Sequence, residues 1–499
     1  MATSFPPPQP TFNPAHPAGG NPQTVDVNAQ YYGWEWEYVF QVIMGCFVFL
    51  IIPGIGLLYG GMARRKSALA MIFQSLLVMA VVTFQWTFWG FTLAFSRTGG
   101  PFIGDMSNFG MINTLAAPSW GSTVLPDIVF AFYELMFAAC ATMIVVGGSF
   151  ERGRVLPSII FGFCWVTVCY CPIAYWTWNA NGWLYIFGAL DFAGGGPVHI
   201  SSGAAALAYA LVLGKRSRYG EKHVYKPHNV TIVFLGTTLI WFGWFGFNGG
   251  SALNASVRGM VAIWNTNLAA SMGVIGWTMF HYAFRGRKFT VIGACEGAIA
   301  GLVGITPAAG YVTVWYAAAI GFITAIVICL FEKLNEWLRI DDGLEVFKLH
   351  GIGGMVGAFL TGIFATAQIS ALDGIPTIVH GAVDGNGIQI ARQLAEIAAI
   401  FSWSFVMSVI MLMILKFIPG MHLRVSDDVE EIGLDLDQFD DEVVGEWGNY
   451  DTEDGHDRRG STIHGVPVAA PASAHVETGS DMTPVNEEDR EHKLAKAEH

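Results

Sequence analysis

In the stretch LDFAGGGPVHISSG, residues 190–203, Asp191 and His199 stand eight positions apart among small and apolar neighbours. A second histidine, His350, sits in FKLHGIGGMVG and is also followed by small residues. A neutral imidazole donates through one ring nitrogen and accepts through the other, so a pair of them can hold or pass a proton. Metal-assisted hydrolysis is the rival chemistry for Asp and His. The sequence speaks against it: there is no HExxH and no ligand triad on one helix, and an Asp and a His at this spacing do not make a zinc site. Cys46, Cys140, Cys164, Cys169, Cys171, Cys295 and Cys329 all fall in apolar spans without zinc-like pairing and read as small buried hydrophobes.

The elements that must position these groups are membrane helices. Of the 499 residues 53% are hydrophobic and 13% charged, against about 25% charged in a soluble domain. The apolar residues recur in runs of about 20, the length of helix that crosses the hydrocarbon core; strands of a membrane barrel would alternate instead. Eleven spans are expected, at 39–61, 68–95, 127–150, 155–175, 197–214, 230–250, 260–284, 291–308, 311–331, 349–368 and 394–418. Loops after odd-numbered spans hold 16 Lys and Arg, the alternate loops 3, and residues 1–38 none. That bias places the N-terminus outside and the C-terminus in the cytosol. Residues 1–38 lack the basic start and apolar core of a cleavable signal and read as a retained extracellular tail. Residues 39–419 form the helical body.

Residues 420–499 carry 21 Asp and Glu against 6 Lys and Arg, so the net charge of −13 belongs to this tail. Beyond about Tyr450 its composition is that of a disordered segment. The stretch LRVSDDVEEIGLDLDQFDDE keeps enough Val, Ile, Leu and Phe to fold against basic cytosolic loops, which makes about 420–450 the candidate regulatory part. A solvated tail that only aids solubility fits the composition equally well.

Charges inside a bilayer are costly, about 2.5 kcal/mol or more at the helix centre, so Glu134, Asp191, His199, His281, Glu296 and His350 each need a reason. His199 opens span five and His350 opens span ten, each the fifth helix of a five-span half. Five is odd, so the second half is inserted upside down relative to the first. Inverted repeats of this kind place a site at their interface near mid-membrane. The 59 glycines and the runs SSGAAALA and GIGGMVGA suit close helix packing and a narrow, rigid-walled path.

These residues carry a resemblance to a known family. IPGIGLLYGGMARRKSAL, ERGRVLPSIIFGFCWVTVCYCPIAYWTW, GALDFAGGGPVHISSGAAAL, WFGWFGFNGGSALNA, GLVGITPAAGYV, RIDDGLEVFKLHGIGGMVGAFLTGIFA and LRVSDD, spread over about residues 34 to 430, resemble the Amt/Mep/Rh ammonium transporters, in particular the two-histidine fungal Mep type. The resemblance implies an all-α, eleven-helix fold with an inverted five-plus-five repeat, a homotrimer with a pore in each subunit, and a place in the plasma membrane.

It also implies roles. Trp178 and Ser251, with Phe137 below, would recruit ammonium or methylammonium; Phe137 and Phe247 would close the entrance. His199 and His350 would line the pore, and Asp191 would shape the outer vestibule by capping backbone N–H groups. Tyr133, Trp244, Ile240 and Val346 would build the walls. Trp is the best aromatic face for a cation, and Phe247 lies one helical turn before Ser251, so ring and hydroxyl can share a face. Glu134 and Glu296 depart from the uncharged polar residues expected there. No enzyme activity, cofactor, metal or nucleic acid is implied.

Potassium and ammonium are similar in size, but only ammonium can shed a proton and continue as a neutral molecule. The expected mechanism is capture, deprotonation near His199, and passage of ammonia with the proton moving separately along the histidine pair. A gas channel that carries no charge is one alternative. Another is an ammonium sensor signalling through the tail, with Ser426 as a phosphorylation site and a kinase or other cytosolic regulator as partner.

Overall fold

The computed structural model describes residues 9–19, 27–221, 225–373 and 379–439, together with a short ribbon, Thr462–Ile463 against Val466–Pro467, in a separate unit spanning Val444–His499. Within 1–38, residues 1–8 and 20–26 lie outside the described residues, and the disorder expected beyond Tyr450 falls on residues outside them or in that unit.

The body is helical. Among the described residues, eight helices are long and apolar enough to cross a membrane: Glu35–Met62 (α1), Arg65–Phe95 (α2), Asp127–Ser149 (α3), Val155–Phe187 (α4), Gly195–Leu213 (α5), Val230–Gly250 (α6), Phe347–Phe364 (α10) and Ile388–Phe417 (α11). Between α6 and α10 lie Val257–Phe284 (α7) and two shorter apolar helices, Val291–Ile305 (α8) and Val314–Leu330 (α9). Asn229 starts α6 as a side-chain cap, its Oδ1 accepting from Ile232 N at 3.0 Å. Exposed Trp315, Phe417, Trp264 and Phe234 cover the outside of the bundle with apolar surface, as a lipid-facing wall requires. Cys46 differs from the expectation of buried cysteines: it is exposed on α1, while Cys140, Cys169, Cys171, Cys295 and Cys329 are buried and Cys164 is half-buried.

The centre is the crossing of α5 and α10. A methyl group on Gly203 would stand 2.3 Å from Gly351 N, and one on Gly354 would stand 2.9 Å from Gly195 O and 3.1 Å from His199 Cβ. Glycine at these points lets the two backbones touch, which brings their side chains together at mid-bundle. Both helices open with a π-turn, Gly195–Ile200 and Phe347–Ile352, and each turn holds one of the two histidines. The extra residue of a π-turn rotates the side chains that follow, a device common at functional sites.

At the basic end of the bundle Arg216 joins Glu151 at 2.6 Å and Asp341 at 2.8 Å, and Arg64 joins Glu151 at 2.9 Å. The segment 423–439 docks here. Arg154 N donates to Leu423 O and Val425 N donates to Arg152 O, each at 3.0 Å. Two short helices follow, Asp427–Ile432 (α12) and Leu434–Gln438 (α13). Glu430, fully buried, accepts from Ser217 N at 2.8 Å and pairs with Arg424 at 2.8 Å. Asp435 accepts from Leu69 N at 3.0 Å and Ala70 N at 2.8 Å, satisfying free N–H groups in the first α-helical turn of α2, which begins at Ala68. Ser426 caps α12, its Oγ accepting from Val429 N at 3.4 Å.

Candidate functional site

A ladder of aromatic rings leads from one end of the bundle to its middle. Trp178, half-buried at the end of a helical stretch of α4, stands edge-on to Phe137 of α3 with centroids 6.1 Å apart and planes at 87°. Phe137 stacks on Phe247 of α6 at 4.0 Å, which leaves no gap between the rings. Phe247 faces His199 at 6.1 Å, and Trp244, one turn earlier on α6, stacks on His199 at 5.2 Å and 14°. Thr306 accepts the Trp244 Nε1–H at 2.9 Å and fixes that ring.

His199 and His350 meet through their Nδ1 atoms, 3.2 Å apart, with ring centroids at 5.3 Å. One Nδ1 must donate and the other accept, so the two neutral rings hold opposite tautomers. His199 is fully buried and its Nε2 has no protein partner. Beyond His350 lies a narrow cavity of about 30 Å³, lined by Val346, Leu349, Tyr59, Leu344 and Glu296, room for one or two waters.

Tyr133 Oη lies 2.7 Å from Phe247 O, 2.9 Å from Gly246 O and 3.3 Å from Ser251 Oγ. Ser251 Oγ in turn donates to Phe247 O at 2.8 Å. Ser251 is half-buried beside Tyr133, whose ring packs on Phe137 at 5.0 Å. Ile240 is buried one turn before Trp244 and packs against Gly54 of α1. Glu134 is buried, and its Oε2 meets no donor.

Asp191 holds the start of α5. Its Oδ1 accepts from Gly194 N at 2.7 Å and Gly195 N at 2.9 Å, and its Oδ2 from Gly196 N at 2.6 Å. Three adjacent N–H groups can converge on one carboxylate because Gly194, at φ 109°, takes a left-handed turn. The Asp191 carbonyl accepts the Trp178 indole N–H at 3.1 Å. Asp342 repeats the arrangement for α10, its Oδ2 accepting from Phe347 N at 2.8 Å. Each aspartate stands eight residues before its histidine, an internal repeat that the sequence reading passes over.

It also passes over Gln393 and Glu396, both fully buried on α11. A lone carboxylate in the apolar run QLAEIAAI is the signal that could have found Glu396. Among the described residues no group of three or more His, Cys, Asp or Glu is placed to hold a metal ion.

The Ammonium Transporter Family model matches residues 39–444. Ammonium transporter 1 of Schizosaccharomyces pombe is 44% identical over 484 residues, which covers 97% of this chain and 94% of that protein. Ammonium transporter MEP2 of Saccharomyces cerevisiae is 47% identical, covering 84% and 85%. The crystal structure of Candida albicans Mep2 superposes with a TM-score of 0.78 at 45% identity, over 82% of this chain and 90% of that one.

Proposed function

Because the chain belongs to the Ammonium Transporter Family, we propose that it takes ammonium at an aromatic outer site, removes a proton, and conducts ammonia while the proton follows a separate path. The chain is a multi-pass membrane transporter of the fungal Mep type, not an enzyme, and ammonium is its substrate.

In this reading Trp178 offers its ring face and Ser251 its oxygen to ammonium, a compact cation with four N–H donors. Phe137 and Phe247 must shift apart for passage, and they exclude water when they close again. His199 and His350 then offer paired ring nitrogens to the substrate in a largely apolar tube. The single observation that carries the reading is their Nδ1–Nδ1 contact at 3.2 Å inside that tube.

A proton received by one ring at Nε2 can leave through its Nδ1 to the other ring, which releases its own Nε2 proton. Each transfer exchanges the two tautomers, so the rings must return to their starting tautomers before the next proton, and the charge arrives without the substrate carrying it. Potassium has no proton to give, so it would have to cross the apolar tube fully charged.

The eleven spans, the outward N-terminus, the cytosolic C-terminus, the plasma membrane and a homotrimer with one pore per subunit complete the proposal. Uptake of radiolabelled methylammonium in cells lacking their own permeases, measured together with current, tests it. His199→Ala and His350→Ala should abolish the coupled current; uptake without current would instead favour the gas-channel reading.

A second reading is favoured by the docked segment 423–439. Its carboxylates Glu430 and Asp435 bind backbone N–H groups of the body. A tail held this way can report on the body to a cytosolic partner, and phosphate on Ser426, beside Asp427 and Asp428, would crowd negative charge at this junction.

A further inference from the structure

The loop ahead of α5 is braced from α11. Leu190 N donates to Gln393 Oε1 at 2.7 Å, and Gln393 Nε2 donates back to Leu190 O at 2.8 Å. Gln393 Nε2 also donates to Glu396 Oε2 at 2.8 Å. That contact occupies one oxygen of a carboxyl group with no exposure at all. The other oxygen, Oε1, meets no N–H or hydroxyl donor. It stands beside Asp191: a methyl group on Gly196 would lie 2.9 Å from Glu396 Oε1 and 3.3 Å from Asp191 Oδ2. Both carboxyl oxygens thus border the same small space beside Gly196, and Glu396 Oε1 faces Asp191 across it without another partner.

Carboxylates only accept, so a hydrogen bond between two carboxyl groups contains a proton. Asp191 already receives three backbone N–H groups, an environment that suits the ionised form. Glu396 receives one side-chain amide. The nearby cations are committed elsewhere: Arg258, stacked on Phe192 and Tyr311, bonds Gly310 O at 2.7 Å and Asp373 at 2.9 Å, and Arg392 bonds Gln389 at 3.2 Å. Among the described residues neither Asp191 nor Glu396 forms an ion pair, so two ionised carboxyls side by side would lack a counter-charge.

We propose that Glu396 is a positioning residue for the outer site: as a carboxylic acid it donates Oε1–H to Asp191 Oδ2 and locks the turn whose carbonyl holds Trp178. Glu396 thus acts on substrate capture from another helix, through Asp191 and then the Trp178 indole N–H. The pair keeps a single negative charge behind the mouth, which favours a cation there. This inference rests on the reading of Trp178 as the recruiting ring.

Two variants separate the donor from the charge. In Glu396→Gln the amide N–H can replace the acid proton and the amide oxygen can still accept from Gln393; Glu396→Leu supplies neither. Methylammonium uptake by the full-length protein should give a KM near wild type for E396Q and about tenfold higher for E396L, with the larger change in KM than in Vmax. In an E396L background, Trp178→Leu should raise KM little further. A wild-type KM for E396L, or equal impairment of E396Q and E396L, overturns the proposal.

Infrared spectra of the purified protein supply a readout that does not need E396L to fold. The wild-type minus E396Q difference should contain a deuterium-sensitive carboxylic-acid C=O band at neutral pH, and its absence overturns the proposal. If W178L alone leaves KM unchanged, the outer-site reading fails, while the infrared band still reads the carboxyl bond by itself.

Discussion

The Nδ1 atoms of His199 and His350 face each other at 3.2 Å although 151 positions separate the two residues in the chain. The contact exists because α5 and α10 cross through glycine and because each helix opens with a π-turn preceded by an aspartate cap.

The glycine crossing gives the first prediction. Gly203→Ala places a carbon 2.3 Å from Gly351 N, a clash with backbone that only helix movement can relieve. The cost should be about 1–3 kcal/mol, read as a lower melting temperature in detergent. Uptake should fall more than stability does, because the displaced helices carry the histidine pair.

At the outer mouth, Trp178→Leu removes the cation–π face while leaving the helix apolar. A cation–π contact contributes up to about 2 kcal/mol when desolvated, so KM for methylammonium should rise about tenfold. Ser251→Ala should have a smaller effect in the same direction, since Tyr133 Oη also reaches Phe247 O.

The ion cluster at the basic end predicts a pH dependence of stability. Burial pushes the Asp341 carboxyl up, but hydrogen bonds and charge from Arg216 outweigh that and hold it below the ordinary carboxylate range. The folded carboxyl is therefore more acidic than the unfolded one. Its stabilisation is fully present above about pH 4, the unfolded value, and is lost as pH falls through the lower folded value. Asp341→Asn should lower stability by about 3 kcal/mol at neutral pH and flatten the acid limb of the melting profile.

Much of the frame is legible in the sequence. The sixth span is expected at 230–250 and observed as Val230–Gly250, because Asn229 is a strong cap and the Gly-Gly-Ser end is a strong stop. The histidine pair follows from counting helices in each half. The start of α11 is harder to read: it is expected at 394 and found at Ile388. Gln389, Arg392 and Gln393 look like loop residues there, yet Gln389 and Gln393 bond the 188–190 turn inside the protein. Glu396 falls inside the expected span, but nothing local ties it to Asp191, 205 positions away. The π-turns leave no hydrophobic period of their own to detect.

The docked tail carries a further expectation. Asp435→Ala removes the acceptor for two N–H groups at the start of α2, a cap whose loss costs about 1 kcal/mol. Limited proteolysis should then cut the 423–439 segment faster than in the wild type. Truncation after Gly420, with uptake and growth signalling measured separately, distinguishes a regulatory tail from an inert one.

The most direct test compares potassium with methylammonium in the unmodified transporter, recording tracer uptake and current together in permease-deficient cells. The account predicts saturable methylammonium uptake with an accompanying current, and no potassium flux above background. Potassium entry at a rate comparable to methylammonium would contradict it, because selection would then not depend on a proton that only one of the two ions can lose.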